Sequence, residues 1–246
     1  PEQPYDEHGG HNMNLTWPGN PEGNDTQRVT WSLHEAVVRH CSRCLDLHSW
    51  SRFTATATLA RKDGGLCEQM AEATAIRFVV WRTLRTGATD GTTTIGALFN
   101  DSGRASATIE LAPQWVIRPK EVALGLRAAT NLAKLFGMIE GDMELLDEQV
   151  RFERDAEEDQ GRIHTVTAPC SGLFVEAGLE TSDRVVAGQY LGHLIRDDNL
   201  ETVEIVAPAN GYLYEYGSHR ANCDVALPPQ HPYADEGDTL ATIVEP

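Results

Sequence analysis

The stretch Leu45-Asp46-Leu47-His48-Ser49 ends an apolar segment, residues 44–48, that the sequence predicts to be a β-strand. Asp46 and His48 are two residues apart, so on an extended strand their side chains lie on the same face. An imidazole beside a carboxylate is the combination that a zinc site uses, because one group binds the metal and the other orients it. A histidine at a strand end is more often a hydrogen-bonded structural residue, so the order of the surrounding segments has to decide between the two roles.

Helices and strands alternate along the first part of the chain. Apolar residues spaced by three and four predict helices, and runs of β-branched residues predict strands, up to about residue 140. This alternation predicts an α/β layer. The predicted helices are residues 26–40, 67–84 and 119–136, and the predicted strands are residues 44–48, 92–99 and 105–111.

Two of the predicted helices carry clear end signals and apolar stripes. Asn24 or Asp25 is the expected N-cap of the first, and Pro119 and Gly137 frame the last. Stripes of this kind are typical of helices that pack on a core. The stripes are Val29, Leu33 and Val37 in the first helix, and Val122, Leu126, Ala129, Ala133 and Phe136 in the last.

The character of the sequence changes after the charged stretch at residues 155–161. Ala168-Pro169-Cys170-Ser171-Gly172-Leu173 is echoed by Ala207-Pro208-Ala209-Asn210-Gly211-Tyr212, and residues 185–191 are echoed by residues 233–240. Two similar strand–turn–strand halves predict a small all-β barrel-sandwich, which resembles the lipoyl/biotinyl-type fold. Residues 161–246 contain no lysine, which excludes a swinging prosthetic arm. We therefore expect two domains, at residues 1–145 and 146–246.

Alternating tyrosines mark one strand of this second domain. Tyr212, Tyr214 and Tyr216 are spaced by two, which predicts that all three lie on one face. Packing is the more common role for such residues.

The composition excludes several classes of function. The 246 residues include 37 acidic and 20 basic side chains, a formal charge of −17, whereas nucleic acids and anionic membranes require a basic face. No apolar run approaches the roughly 20 residues of a membrane span. The five cysteines, an odd number, favour a reducing compartment and a cytoplasmic location. Cys41 and Cys44 form a C-x-x-C, so a metal or redox site is a possible interpretation. Cysteines at a helix-to-strand junction more commonly serve as small apolar residues.

Four segments occur in an informative order: Asn12-Met13-Asn14-Leu15-Thr16-Trp17-Pro18-Gly19, then Thr26-Gln27-Arg28, then Leu45-Asp46-Leu47-His48-Ser49, then Thr108-Ile109-Glu110-Leu111. This order resembles the succinylglutamate desuccinylase/aspartoacylase family of zinc-dependent deacylases, which are relatives of the zinc carboxypeptidases. The resemblance covers nearly the whole chain. It implies a carboxypeptidase-like mixed sheet flanked by helices, followed by the β domain.

The resemblance also implies roles for individual residues. His48 would bind one Zn²⁺ per chain, and Glu110 would take a proton from the attacking water and return it to the leaving amine. Asn14 would hydrogen-bond the substrate. Asp46 is expected to orient His48, an inference from their shared strand face. The substrate would be a small N-acylated amine or amino acid, and formation of a homo-oligomer is left open.

Two departures from the family pattern shape these expectations. Leu15 stands where the family has an arginine that would bind a substrate carboxylate, which favours an uncharged or differently anchored amide. No H-x-x-E, the family's first pair of zinc ligands, occurs in the sequence. We therefore expect an N-terminally incomplete chain whose other ligands come from the missing segment, with His8 and His11 as weaker candidates. The alternative is a catalytically inactive binding or scaffold homologue that keeps the fold.

Overall fold

The computed structural model describes residues 12–51, 53–82, 93–114, 116–154, 156–219 and 232–246. The helices are α1 Asp25–Ala36, α2 Leu66–Ala73, α3 Ile95–Asp101, α4 Pro119–Leu135 and α5 Glu157–Gln160, with short 3-10 helices at Met13–Leu15 and Val38–His40. The strands are β1 Arg43–Ser49, β2 Ala57–Ala60, β3 Phe78–Trp81, β4 Ala105–Leu111, β5 Val150–Phe152, β6 Ile163–Thr167, β7 Gly172–Glu176, β8 Arg184–Val185, β9 Tyr190–Arg196, β10 Thr202–Val206, β11 Gly211–His219, β12 Tyr233–Ala234 and β13 Thr239–Val244. Within these residues, no helix combines the length and apolar character needed to cross a membrane.

The first half of the chain is built on a five-stranded mixed sheet with the order β1-β4-β2-β3-β5. β1 runs parallel to β4, β4 runs antiparallel to β2, and β2, β3 and β5 are mutually parallel. Helices α2 and α4 pack on one face, where Met70 and Leu132 meet the small side chains Ala105 and Ala107. The mixed α/β architecture that the sequence predicted is therefore present.

Helix α1 begins where the capping signal predicted. The Asn24 side chain accepts a hydrogen bond from the Gln27 N–H, and the Gln27 side chain accepts one from the Asn24 N–H, which completes a capping box. Pro119 opens α4, and Gly137 follows it with a positive φ of 65°. The end signals of these two helices were sufficient to locate them.

Two predictions of secondary structure were wrong. The helix predicted at 67–84 ends at Ala73, and Phe78–Trp81 form a strand between β2 and β5 that is buried on both faces. A strand of this kind is apolar throughout, so its spacing also matches a helical stripe. The strand predicted at 92–99 is helix α3, capped by the Thr94 side chain, and residue 92 lies outside the described residues.

The large aliphatic residues of the stripes predicted in α1 and α4 do not face the core, whereas Phe136 at the end of the α4 stripe packs against it. Val29, Leu33 and Val37 are 46%, 44% and 54% exposed, and Val122 and Leu126 are 54% and 67% exposed. Helix α4 instead turns Gly125, Ala128 and Leu132 towards the sheet, and α1 buries Thr26 and Thr30. Gly125 packs beside Leu111, where a Cβ would lie at ordinary contact distance, 3.4 Å from Leu111 Cδ1.

The second half contains two four-stranded antiparallel sheets, β10-β9-β7-β12 and β6-β13-β11-β8. The sequence repeat is visible in the two strand orders. The strands β6, β7, β8 and β9 correspond in turn to β10, β11, β12 and β13, and exchanging the two strands of every such pair turns the order of one sheet into that of the other. Both sheets contribute to one core, which contains Phe174, Leu194, Leu213 and Ile243. Its closer description as a barrel-sandwich stays a prediction.

The three tyrosines of β11 do not share one face. Tyr212 and Tyr214 pack against the first sheet, whereas Tyr216 lies in the core between the two antiparallel sheets. A β-bulge between Leu213 and Glu215 shifts the register with β13. Because an extra residue inverts the alternation of side chains, Tyr216 turns to the opposite face.

An aromatic group, which consists of Trp50, Phe78, Phe152 and Tyr214, joins the two halves. The Tyr214 ring lies 5.0 Å from Phe78, 5.1 Å from Phe152 and 6.3 Å from Trp50 between ring centroids, all edge-on. The two halves therefore share buried side chains. The domain boundary at residue 145 stays a prediction, and β5 (Val150–Phe152) pairs with β3 in the first sheet.

Candidate functional site

The structure brings His48 and Glu110 together at one end of the first sheet. In the parallel register of β1 and β4, His48 is the direct partner of Glu110, and Asp46 is the partner of Thr108. Direct partners on neighbouring strands point to the same side, and residues two apart share a face. Asp46, His48 and Glu110 therefore lie on one face, near the carboxyl ends of two parallel strands.

Asp46 holds the His48 imidazole directly. His48 Nε2 lies 2.9 Å from Asp46 Oδ2, and both side chains are partly buried. The pKa of His48 is raised, first by the hydrogen bond to Asp46 and then by the negative charges of Asp46 and Glu110, while burial opposes the shift. The contact agrees with the orienting role inferred for Asp46, although that role stays a prediction.

Glu110 is a carboxyl group that binds a proton more readily than an ordinary glutamate. Burial raises its pKa, the positive charges of His48 and Arg82 oppose the rise, and the charge of Asp46 adds to it. On its other side, Glu110 pairs with Ala57 of β2, so a small side chain lies next to the carboxylate. A raised pKa suits a group that accepts a proton and later releases it.

Asn14 is not brought into contact with these residues in the described part of the chain. It lies in the 3-10 helix Met13–Leu15, where its backbone N–H donates to Asn12 Oδ1 at 3.0 Å. The neighbouring Leu15 is 53% exposed. The substrate contact expected of Asn14 stays a prediction.

The described residues do not form a complete zinc site. A catalytic zinc requires three protein ligands. No group of three or more His, Cys, Asp or Glu side chains within the described ranges is arranged to hold a metal ion. Among the predicted zinc ligands, His48 is the one that lies at this end of the sheet, and its Nε2 contacts Asp46. His8 and His11 lie outside the described residues.

Cys44 of the C-x-x-C pair does not have the properties of a reactive thiol. Cys41 and Cys44 are both free, and burial raises the pKa of Cys44 to about 12. A thiol of this kind stays protonated near neutral pH, whereas redox and metal-binding cysteines need the thiolate. The structure therefore favours the structural role for Cys44.

Arg104 fixes the turn that precedes β1. Its Nη1 donates hydrogen bonds to the backbone oxygens of Val38 and Cys41, at 2.9 and 2.8 Å. Its guanidinium also lies 4.0 Å from the centroid of the Phe99 ring. These contacts give Arg104 a structural role.

Sequence analysis missed Arg82, whose charge acts on Glu110. The prediction of a helix at 67–84 concealed this relation. On a strand, residues 78, 80 and 82 lie on the same face, whereas on a helix they do not. The available signal was the run Phe78-Val79-Val80-Trp81, whose aromatic and β-branched residues favour a strand.

Comparisons with solved structures show which proteins share this fold. A succinylglutamate desuccinylase/aspartoacylase from Rhodobacter sphaeroides superimposes with a TM-score of 0.66 at 19% identity, over 99% of this chain and 70% of that chain. The ectoine utilization protein EutE from Ruegeria pomeroyi gives 0.64 at 20% identity, over 96% and 70%. An aspartoacylase family protein from Mesorhizobium loti gives 0.60 at 15% identity, over 96% and 68%.

Sequence comparison adds no further assignment. No protein-family model matches the chain, and no curated protein sequence matches it. The similarity is therefore one of three-dimensional structure, and it extends over both halves of the molecule. The chain has the fold of the succinylglutamate desuccinylase/aspartoacylase proteins.

Proposed function

We propose that this chain belongs to a deacylase, an amidohydrolase that cleaves the amide bond of a small N-acylated amine or amino acid. The observation that carries the proposal is the direct pairing of His48 with Glu110 at the ends of β1 and β4. The names of the structural neighbours, which include a desuccinylase/aspartoacylase and an aspartoacylase family protein, support the reaction class.

In the proposed reaction, Glu110 moves the proton. Its carboxylate accepts a proton from the water that attacks the amide carbon, and the resulting carboxylic acid passes that proton to the departing amine nitrogen. The C–N bond breaks, and a carboxylic acid and a free amine are released. A positioned proton-transfer group of this kind contributes about 10² to 10⁴ in rate. Asp46 keeps the His48 ring fixed beside it.

Zinc is part of the proposal, with His48 as the ligand from β1. Further ligands have to come from outside the described residues, because those residues do not complete a site. His193 is also on a strand, but it contacts the Tyr190 hydroxyl in the second half of the molecule, so its replacement is the control for loss of a histidine that does not bind zinc.

His48→Ala is expected to reduce bound zinc, measured by mass spectrometry after dialysis against zinc-buffered solution, from one equivalent to well below one half. Removing one of three ligands leaves too few donors to hold the ion. His193→Ala should retain the equivalent. Full-length wild-type protein without bound zinc, or full retention of zinc in the full-length His48→Ala variant, would reject His48 as a ligand.

The function itself is tested by release of amine from a panel of N-acetyl and N-succinyl compounds with neutral and acidic amine parts. The proposal requires turnover of at least one member of the panel. Binding of a compound without hydrolysis would favour the alternative, a binding homologue that has lost catalysis. Leu15 in place of a cation and the incomplete metal site in the described residues are the observations that favour that alternative.

A further inference from the structure

Trp50 continues the face of β1 that carries His48, one residue beyond the end of the strand. The Trp50 N–H donates to the Leu111 carbonyl at 3.1 Å, so the pairing of β1 with β4 extends by one residue. Because residues two apart on a strand share a face, the indole lies on the same side of the sheet as His48. Trp50 is therefore at the same end of the sheet as His48 and Glu110.

The contacts of the Trp50 ring place it on this face independently. The ring lies edge-on to Tyr214, whose own ring contacts Phe78. Phe78 is in register with Ala57, and Ala57 is in register with Glu110. The aromatic core against which Trp50 packs is therefore on the side of the sheet to which Glu110 points.

The indole is held in one orientation without being fully covered. Its Nε1–H donates to the Ala55 carbonyl at 3.1 Å. Trp50 packs against the core that contains Tyr214, but it remains only partly buried. Since the indole N–H already has a partner within the protein, the surface that Trp50 can offer to a ligand is apolar.

The proposed reaction indicates which part of a substrate lies near Trp50. Glu110 passes its proton to the amine nitrogen, so the nitrogen faces β4. The acyl carbon is at the other end of the bond that breaks, and it faces β1, the strand of His48. Trp50 follows His48 by two residues, about 7 Å along the strand. A short aliphatic acyl chain spans this distance.

We propose that Trp50 forms one wall of an acyl pocket and that it selects an uncharged, apolar acyl group of a few carbon atoms. This inference rests on the proposed function, because it assigns the substrate class of the same site. Each methylene that leaves water for an apolar wall strengthens binding, by up to about fourfold when it is fully buried. A carboxylate at the end of the chain would lose its hydration against this wall, which disfavours a dicarboxylic acyl group.

The test measures binding of two neutral amides, hexanamide and acetamide, by NMR of the full-length protein with isotope-labelled tryptophan, and it requires no turnover. Wild-type protein is expected to bind hexanamide about tenfold or more tightly, since the pocket partly buries the longer chain. The Trp50 Nε1–H resonance, identified by its absence in Trp50→Phe, should shift as hexanamide binds. The resonance of Trp31 on α1 should not shift.

Two substitutions separate the role of the ring in binding from its role in packing. Trp50→Ala should reduce the preference for hexanamide to less than about threefold, whereas Trp50→Phe keeps an apolar ring and should retain most of it. Trp31→Phe is the matched control, because Trp31 is also partly buried but contacts His34 on α1. If Trp50→Ala does not fold, the response of the Trp50 resonance in the wild type decides the question.

The assignment is overturned by equal binding of the two amides, by an undiminished preference in Trp50→Ala, or by a Trp50 resonance that does not respond to hexanamide. Tighter binding of succinamate than of hexanamide would also overturn it, because an anionic acyl group would then be preferred. Failure of the proposed function gives a different pattern. In that case hexanamide binds beside Trp50, and no N-acyl compound is cleaved.

Discussion

Replacing Glu110 by glutamine is expected to lower kcat for amide cleavage by a factor of about 10² to 10⁴, with a much smaller change in KM. Glutamine has the same shape but cannot accept the proton from water. Because the effect falls on the reaction step, binding of substrate should persist. The measurement is a steady-state assay of amine release with the best compound of the panel.

The pH profile of the wild type provides a second readout of the same group. Burial raises the pKa of Glu110, so its active, ionised form is lost as the pH falls through that raised pKa. The acidic limb of kcat/KM should therefore lie above the value of about 4.3 for an ordinary glutamate. Glu204→Gln, an exposed substitution on β10, serves as the control and should keep wild-type kinetics. Wild-type turnover in Glu110→Gln would show that Glu110 does not transfer the proton in the reaction.

Replacing Tyr214 by alanine is expected to lower the free energy of unfolding by about 3 to 5 kcal/mol, the range for truncating a large buried aromatic side chain. Tyr214 is only 2% exposed and contacts Phe78, Phe152 and Trp50 from the opposite half of the molecule. Because these contacts join the two halves, the loss should also reduce the cooperativity between them. Urea denaturation followed by tryptophan fluorescence and by circular dichroism measures both effects.

Tyr190→Ala is the matched control. Because this tyrosine of β9 is 42% exposed, its replacement should lower the free energy of unfolding much less. The Tyr214→Phe variant keeps the ring packing and should retain most of the stability. A single transition at the wild-type urea concentration in Tyr214→Ala would show that the aromatic group does not hold the two halves together.

Local signals in the sequence were sufficient for part of this fold. The expected N-cap at Asn24 or Asp25 and the Pro119 and Gly137 signals located α1 and α4, because caps depend on residues within one turn. They failed where the environment overrides the local pattern. Phe78–Trp81 is a strand because it is central in a sheet, and no local feature reports the neighbours on its two sides.

The candidate site illustrates the same limit. The shared face of Asp46 and His48 follows from their spacing, but the pairing of His48 with Glu110 depends on two parallel strands that are far apart in the sequence. Only the resemblance to a family suggested that these residues would meet. Arg82 was not predicted at all, because the strand that precedes it was taken for a helix.

The most direct test of the pairing at the ends of β1 and β4 is an NMR titration of His48 in zinc-free protein. We predict a pKa above 6.5 in the wild type, a lower pKa in Glu110→Gln, and a larger decrease in Asp46→Asn, because the hydrogen bond to Asp46 is the main cause of the shift. Glu204→Gln should have no effect. An unchanged pKa of His48 in Glu110→Gln would contradict the account, since it would mean that the two side chains do not face each other.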